Sequence, residues 1–288
     1  MKLLFLAPGK ISKTSEKIIM EAERLFTEVD LIRIRDLAIN AGDRFTISYN
    51  RRDLIDYDYL LPRIDSKRAS FGHHVMKFFD ALGTKKPYTA DAIRIAHNKF
   101  ATIWELKKAG LPVPDTYYTA SKEAAERILD RMDYPAVIKL VGGFGGKGVM
   151  FAESKETAES IVNTLDLLRQ ELLIEKFIEN PGEDIRVLII GDEVVSMKRI
   201  AKTGEKRANI YAGGRGISHR PSEEQIDISF KAAEIIKADI CAVDIIEGKD
   251  GPFIIELNIN PGISGITKAT GENVAQKIAR YIYEEAKR

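Results

Sequence analysis

The sequence predicts an α/β (α+β) protein built from two or three small domains. The chain has 288 residues, of which 44% are hydrophobic and 30% are charged, a composition typical of globular domains. Strand-length apolar runs alternate with helical periodicity near the N-terminus, which favours a parallel sheet there. Further along, polar residues interrupt two apolar strands that flank a glycine-containing turn. We expect an N-terminal domain over 1–92, a central domain over 93–176 and a C-terminal domain over 177–288.

Charge and hydropathy argue against several classes of partner. The 44 basic and 43 acidic residues give a net charge of +1, which does not favour nucleic acid or a membrane surface. No apolar run reaches the ~20 residues of a membrane span, and the short first run is typical of a strand rather than a signal peptide. The single cysteine, Cys241, excludes an intramolecular disulfide and fits a reducing compartment. We therefore expect a cytoplasmic protein.

The first 110 residues contain two candidate binding residues. Strands are predicted over 3–7, 29–34 and 57–62, with helices between and after them. Parallel sheets bind ligands at the carboxyl ends of their strands, so we expect Arg63 to bind an anionic substrate group. A surface salt bridge is the alternative. One long helix is predicted over 91–110, and its Lys99 is either functional or merely solvated.

A glycine-rich loop follows a buried strand in the central region. Residues 142–148 contain five glycines in seven positions, and Lys139 lies on the strand before them. Glycine permits positive φ and close approach, so the loop N–H groups can face phosphate oxygens. A strand follows the loop where a Walker A loop or a Rossmann fingerprint needs a helix. The remaining interpretation is a glycine-rich hairpin that covers phosphates. A mobile hairpin tip without a ligand is the alternative.

The C-terminal region contributes basic residues and a candidate metal site. A predicted hairpin over 184–200 carries Arg199, and Arg207 and Asn209 follow it; these residues suit an anionic transition state, with a solvated basic face as the alternative. Helices are predicted over 221–237, opened by a Ser-x-x-Gln capping box, and over 270–286.

Two strands, 242–246 and 253–258, carry three oxygen-bearing side chains. Because residues i and i+2 share a strand face, Glu256 and Asn258 project together, and Asp244 joins them if the strands pair. Such oxygens suit Mg²⁺ that is shared with phosphate. Solvated residues on an exposed sheet face are the alternative.

In their order and spacing, these motifs resemble the ATP-grasp fold and, within it, the RimK-like α-L-glutamate ligases. The resemblance covers nearly the whole chain and implies an N-terminal domain on the acceptor side and two domains that clamp ATP. The matching motifs are Leu61-Pro62-Arg63-Ile64, Asn98-Lys99, Val137-Ile138-Lys139-Leu140, the loop 142–149, Asp184-Ile185-Arg186-Val187, Arg199, Arg207-Ala208-Asn209, Gly213-Gly214, Val243-Asp244-Ile245 and Glu256-Leu257-Asn258-Ile259-Asn260-Pro261-Gly262.

The resemblance also implies roles for individual residues. The implied ATP-binding residues are Lys99, Lys139, Gly142, Gly143, Phe144, Gly145, Gly146, Lys147, Gly148, Glu175, Lys176, Phe177, Ile178 and Asp184. Two Mg²⁺ or Mn²⁺ ions are implied at Asp244, Glu256 and Asn258. Catalytic contacts to the γ-phosphate and acyl phosphate are implied for Arg199, Arg207 and Asn209. The candidate substrate residues are Arg63, Arg215, Asn260 and Gly262.

The implied reaction is the activation of a carboxylate by ATP. The carboxylate attacks the γ-phosphate to give an acyl phosphate and ADP, and an amine then displaces phosphate. The tail 258–262 resembles members that add L-glutamate to a glutamyl-terminated coenzyme or peptide, and relatives commonly form dimers or tetramers. Arg215 and the Pro87-Tyr88 pair depart from the bacterial type and leave the acceptor open. The alternatives are a ligase that acts on a carrier protein, a small-molecule kinase and a nucleotide-binding regulator.

Overall fold

A parallel sheet of order β2-β1-β6 forms the N-terminal part of the protein. The computed structural model describes residues 1–43, 45–141, 148–180, 182–202, 208 and 213–288. The elements of this sheet are β1 (Lys2–Ala7), α1 (Lys13–Ala22), β2 (Glu28–Arg33), β6 (Tyr59–Pro62) and α2 (Ala69–Ala81). Their parallel register confirms the predicted sheet.

A small antiparallel sheet between β2 and β6 was not expected from the sequence. Its strands are β3 (Ala38–Ala41), β4 (Phe45–Tyr49) and β5 (Arg52–Asp53). Of the residues in these strands, only Ile47 is buried. Apolar and polar residues do alternate in β4, but β3 and β5 are too short and too exposed to show the pattern by which a half-buried strand is recognised in a sequence.

Two helices replace the single helix predicted over 91–110. They are α3 (Ala90–Ala96) and α4 (Lys99–Lys108). Asn98 separates them in an extended conformation, and its side-chain oxygen accepts a hydrogen bond of 3.0 Å from the backbone N–H of Ala101. The prediction is wrong because an asparagine that caps a helix start outweighs continuous periodicity. Lys99 thereby becomes the first residue of α4.

The central region forms an antiparallel sheet of order β7-β10-β8-β9 with two helices packed on it. Its elements are β7 (Thr116–Thr119), α5 (Lys122–Leu129), β8 (Ala136–Leu140), β9 (Val149–Ala152), α6 (Lys155–Leu167) and β10 (Leu172–Lys176). Apolar residues such as Ile138, Val162 and Ile174 form a core that belongs to this region alone. The predicted boundaries at 92/93 and 176/177 stay predictions.

The C-terminal region is a five-stranded antiparallel sheet of order β13-β12-β11-β14-β15. Its elements are β11 (Glu183–Ile190), β12 (Glu193–Ile200), β13 (Arg215–Ser218), α7 (Glu223–Ile236), β14 (Ile240–Gly248), β15 (Gly251–Asn258), α8 (Ser264–Thr270) and α9 (Val274–Lys287). The capping box of Ser222 and Gln225 at the start of α7 is confirmed. The closing helix begins later than predicted, because Gly271 at φ +75° ends α8 and Asn273 caps α9. Within the described residues, no helix combines the length and apolar character that a membrane crossing requires.

The two faces of this sheet have different surroundings. One face carries apolar residues such as Val187 and Val243, which share a core with the N-terminal sheet and α7. On the other face, Leu188 and Ala242 pack in a second core with α9. At Asp244, that second face becomes charged, because Arg186 and Glu256 on the neighbouring strands lie opposite it, and the candidate site lies there.

A β-bulge in β15 decides which residues point toward that site. Asp244 pairs with Glu256, but Ile245 pairs with Ile254, so Ile255 is the extra residue. A bulge changes the alternation of side chains along a strand. Ile254 therefore turns into the core, while Glu256 shares the face of Asp244.

The turn between β11 and β12 depends on a glycine that a neighbouring tyrosine crowds. Gly191 has φ +58°, and a Cβ there would lie 2.3 Å from the Tyr281 ring. Gly83 has φ +69° with open space around it. A left-handed alanine costs about 1–2 kcal/mol, so we expect Gly83→Ala to lose that amount of stability and Gly191→Ala to lose clearly more. Chemical denaturation measures both losses, and equal losses would show that Tyr281 moves aside without cost.

Candidate active site

A cavity of about 510 Å³ lies where the N-terminal loop 64–68, α3, α4, β8, β10 and β15 meet. Residues from all three regions of the chain line it. The predicted site residues in its lining are Lys99, Lys139, Glu175, Glu256, Asn258 and Asn260. The fold therefore brings together side chains that are far apart in the chain, from Lys99 to Asn260.

An ion pair between Lys139 and Glu175 forms the part of the cavity wall that the central sheet contributes. Lys139 pairs with Leu173 across β8 and β10, so Glu175, two positions along, lies diagonally on the same face. The Lys139 Nζ lies 2.5 Å from Glu175 Oε2, and the two side chains are 12% and 4% exposed. The family resemblance implies only that Glu175 binds ATP. The structure adds that its carboxylate holds the lysine in place.

Lys99 faces the same charges from the start of α4. Burial lowers the pKa of Lys99 below its ordinary value, and the nearby Lys139 ammonium lowers it further. The carboxylates of Glu256 and Glu175 oppose that shift. Two lysines this close repel one another, so an anion bound between them is favourable. The pair is suited to a chain of phosphates.

Four charged side chains alternate across β12, β11 and β14 beside this cavity. Arg186 binds both carboxylate oxygens of Asp244, at 2.7 Å each, and Arg199 Nη2 lies 2.8 Å from Asp244 Oδ2. The Arg199 Nε also binds Asp184. Burial favours the neutral acid, but the two guanidinium groups outweigh it and lower the pKa of Asp244 to about 2. Burial raises the pKa of Asp184, which has the single guanidinium of Arg199 as its close partner.

The side-chain oxygen atoms around Glu256 form a donor set whose chemistry fits magnesium. Glu256 and Asn258 line the cavity, and Asp244 is the cross-strand partner of Glu256. A carboxylate oxygen has two acceptor positions, and Asp244 Oδ1 accepts one hydrogen bond, from Arg186. Among the described residues, no group of three His, Cys, Asp or Glu side chains forms a metal cluster. The donors that Asp244, Glu256 and Asn258 offer are two carboxylates and an amide, and this set suits a hard divalent cation.

Asn260 links this strand to the N-terminal part. Its N–H donates to Asn258 Oδ1 at 2.8 Å, its side-chain NH₂ donates to the Ile64 carbonyl, and its Oδ1 accepts from the Tyr88 hydroxyl at 3.3 Å. Arg63 Nη2 donates to the Asn260 and Pro261 carbonyls at 3.2 and 2.9 Å. These contacts are within the protein, and the substrate roles of Arg63 and Asn260 stay predictions.

The remaining predicted residues either do not line the cavity or lie outside the described residues. Gly148 has φ +81°, Phe177 packs edge-on against Phe151, and Ile178 lies beside Gly248. The three predicted residues that are exposed are Lys176, Arg215 and Gly262. The predicted residues outside the described part of the chain are Gly142, Gly143, Phe144, Gly145, Gly146, Lys147, Arg207 and Asn209.

Sequence reasoning missed three residues of this region. Arg186 stands two positions after Asp184, and strand periodicity alone would have placed both on one face. Arg68 and His97 line the cavity but belong to no motif in the sequence. His97 Nε2 donates to the Ile64 carbonyl at 2.9 Å, and burial lowers the pKa of this histidine. No pattern in the sequence identifies these two residues.

Comparison with known proteins identifies the family. A model of the RimK-like ATP-grasp domain matches residues 96–282. A probable alpha-L-glutamate ligase of Legionella pneumophila is 33% identical over 100% of this chain and 97% of its own length. A ribosomal protein bS6–L-glutamate ligase of Escherichia fergusonii is 34% identical over 84% of this chain and 81% of its own length.

The fold has a counterpart among solved structures. The ATP-grasp ligase PsnB, in a complex with a phosphomimetic variant of its minimal precursor, Mg and ADP, superposes with a TM-score of 0.77. That superposition covers 99% of this chain and 98% of PsnB at 16% identity, and it confirms the predicted ATP-grasp fold. By both sequence and fold, the chain belongs to the RimK-like ATP-grasp family of ligases.

Proposed function

We propose that this protein uses ATP to activate the terminal carboxylate of a glutamyl peptide or coenzyme and joins L-glutamate to it. The observation that carries the proposal is the cavity that sets Lys99 and Lys139 beside Glu256 and Asn258. Two curated relatives at 33% and 34% identity are named glutamate ligases, and one of them is named for ribosomal protein bS6. A peptide acceptor has that support, while a coenzyme acceptor rests on the sequence resemblance.

The first half-reaction is phosphoryl transfer to the acceptor. The acceptor carboxylate attacks the γ-phosphate, which leaves ADP and an acyl phosphate. Lys99 and Lys139 hold the phosphates and neutralise charge that would otherwise repel the attacking carboxylate. Glu256, Asn258 and Asp244 would hold one or two Mg²⁺ or Mn²⁺ ions, which supply further neutralisation of the phosphate oxygens when bound.

In the second half-reaction, the amine of L-glutamate attacks the acyl carbon. The bond from that carbon to the phosphate oxygen breaks, phosphate leaves, and the amine loses a proton. Arg199 holds Asp184 and Asp244 in place, and its contact with the γ-phosphate and the acyl phosphate stays a prediction. No side-chain nucleophile is required. Burial raises the pKa of Cys241 to about 12, so its thiol stays protonated and serves as core.

The partners and location follow from this chemistry as further proposals. ATP and free glutamate are cytoplasmic metabolites, which supports a cytoplasmic protein. Nucleic acid and membrane partners are not expected, in keeping with the net charge of +1. A homodimer or homotetramer stays a prediction, which sedimentation of the purified protein would test.

The reaction class is tested by the requirements for ADP release. We expect the purified protein to release ADP only when both L-glutamate and a glutamyl-terminated peptide are present, because the acyl phosphate forms on one and is consumed by the other. Hydroxylamine in place of glutamate should give a hydroxamate, which mass spectrometry detects. A stable phosphorylated product that resists hydroxylamine would indicate a kinase, and nucleotide binding without turnover would indicate a regulator.

The metal role of Glu256 is tested by Glu256→Gln. An amide is a weaker ligand for Mg²⁺ than a carboxylate, so we expect kcat to fall roughly a hundredfold and the required Mg²⁺ concentration to rise. Circular dichroism should show an intact fold. Asp250→Asn, in the exposed turn of the same hairpin, is the matched control and should retain full activity. Unchanged activity of Glu256→Gln would remove the metal assignment.

The ion pair of Lys139 and Glu175 allows stability and phosphate binding to be separated. Lys139→Met leaves the Glu175 carboxylate buried without this partner, at a cost of about 3–5 kcal/mol. We expect lower thermal stability and a raised Michaelis constant for ATP. In the double variant Lys139→Met/Glu175→Gln, stability should recover because the buried charge is gone, but the Michaelis constant should not. Recovery of both would contradict a phosphate-binding role for Lys139.

A further inference from the structure

The cavity extends beyond the residues assigned to ATP and metal. At its other end, the lining consists of the loop 64–68 with Ala96 and His97. This loop follows β6, and Gly9 lies just beyond the end of β1, so both stand at the carboxyl edge of the parallel sheet. That edge is where sheets of this kind bind ligands. This second end of the cavity has no role in the mechanism described above.

Arg68 is held at this edge by a single neighbouring carboxylate. Asp65 Oδ1 accepts from the Arg68 backbone N–H at 3.0 Å, and Asp65 Oδ2 lies 2.6 Å from Arg68 Nη1. Among the described residues, Asp65 is the one acceptor that binds this guanidinium. Guanidinium has five N–H donors, so most of them remain for a ligand. The side chain is 31% exposed, within reach of solvent and of a bound molecule.

Gly9 lies beside the guanidinium of Arg68. A Cβ at position 9 would lie 3.4 Å from Arg68 Nη2, so a larger side chain there would contact the guanidinium. Lys67 also lines this end, and together with Arg68 and Asp65 it leaves one net positive charge. His97 adds no charge while it is neutral and bound to the Ile64 carbonyl. This end of the cavity thus favours an anion.

A glutamyl terminus presents two carboxylates, and the proposed reaction uses one of them. The second carboxylate lies in the same cavity but is not phosphorylated. Because it loses water on binding, it needs a cation to offset that cost. The two lysines at the ATP end are occupied by phosphates. Of the two cations at the opposite end, Lys67 and Arg68, Arg68 has the planar fork of donors that matches a carboxylate.

We propose that Arg68 binds the unreacted carboxylate of the acceptor's terminal glutamyl residue and makes the enzyme select a dicarboxylate end. The proposal rests on the proposed function and adds an acceptor subsite to it. Asp65 is a positioning residue that fixes the guanidinium. Arg63, five positions earlier, is instead bound to the carbonyls of residues 260 and 261.

The test uses three synthetic peptides that end in glutamate, in glutamate α-amide and in glutamine. One of the two amides lacks the reacting carboxylate and gives no product; the other lacks only the carboxylate assigned to Arg68. For the wild-type enzyme, we expect a Michaelis constant about 10–100-fold higher for this second peptide than for the diacid. In Arg68→Gln, that ratio should fall to about one, because the Michaelis constant for the diacid rises while that for ATP stays the same. Arg68→Lys should keep part of the ratio.

Arg33→Gln is the matched control. Arg33 pairs with Asp36 at 2.6 Å over three positions, as Arg68 does with Asp65, but it lies outside the cavity lining. For Arg33→Gln, the ratio of the Michaelis constants for the reactive amide and the diacid should equal that of the wild type. Damage to the fold changes the constants for both peptides alike and leaves their ratio unaltered. The proposal is overturned if the wild-type enzyme accepts the diacid and the reactive amide equally, or if Arg68→Gln keeps the full ratio. Absence of turnover with every peptide would instead overturn the proposed function.

Discussion

Two guanidinium groups on one carboxylate make the charged half of the C-terminal sheet possible. Asp244 is 3% exposed, and a carboxylate at that depth costs several kcal/mol if it stays ionised without partners. Arg186 and Arg199 offset that cost, and Asp184 in turn balances Arg199. The four side chains sum to zero charge. The same sheet face can therefore change from apolar packing against α9 to a charged surface within a few residues. The cross-strand partner of Glu256, Asp244, stays ionised because two guanidinium groups bind it.

The site joins two parts of the protein that are anchored differently. The loop after β6 and the strand with Glu256 are tied together through Asn260 and Tyr88, and their apolar residues share cores. Lys139 and Glu175 come from the central sheet, whose core is its own. The relative position of the proposed acceptor and metal residues is thus set by hydrogen bonds within one part of the protein. The position of Lys139 relative to that part depends on how the central region is oriented.

Sequence reasoning was most successful where a local period decides the outcome. Glu256 and Asn258 share a face because strands alternate, and the parallel N-terminal sheet follows from alternating elements. It was unsuccessful where one side chain or a distant contact decides. Asn98 divides a periodic segment by capping a helix, and Arg68 reaches the cavity only because residues far apart in the chain meet there. Arg63 looked equally suitable for an anion, and its partners, two backbone carbonyls, have no sequence signature.

The break at Asn98 has an electrostatic consequence for Lys99. The N-terminus of a helix carries about half a positive charge, and Lys99 adds a full one at the first position of α4, in partial burial and near a second lysine. Each of these circumstances disfavours the ammonium ion. A polyphosphate bound before the helix would compensate the charge of the helix end and of both lysines together. Glu256 and Glu175 offset part of this positive charge, and a nucleotide at the proposed site would gain affinity by offsetting the rest.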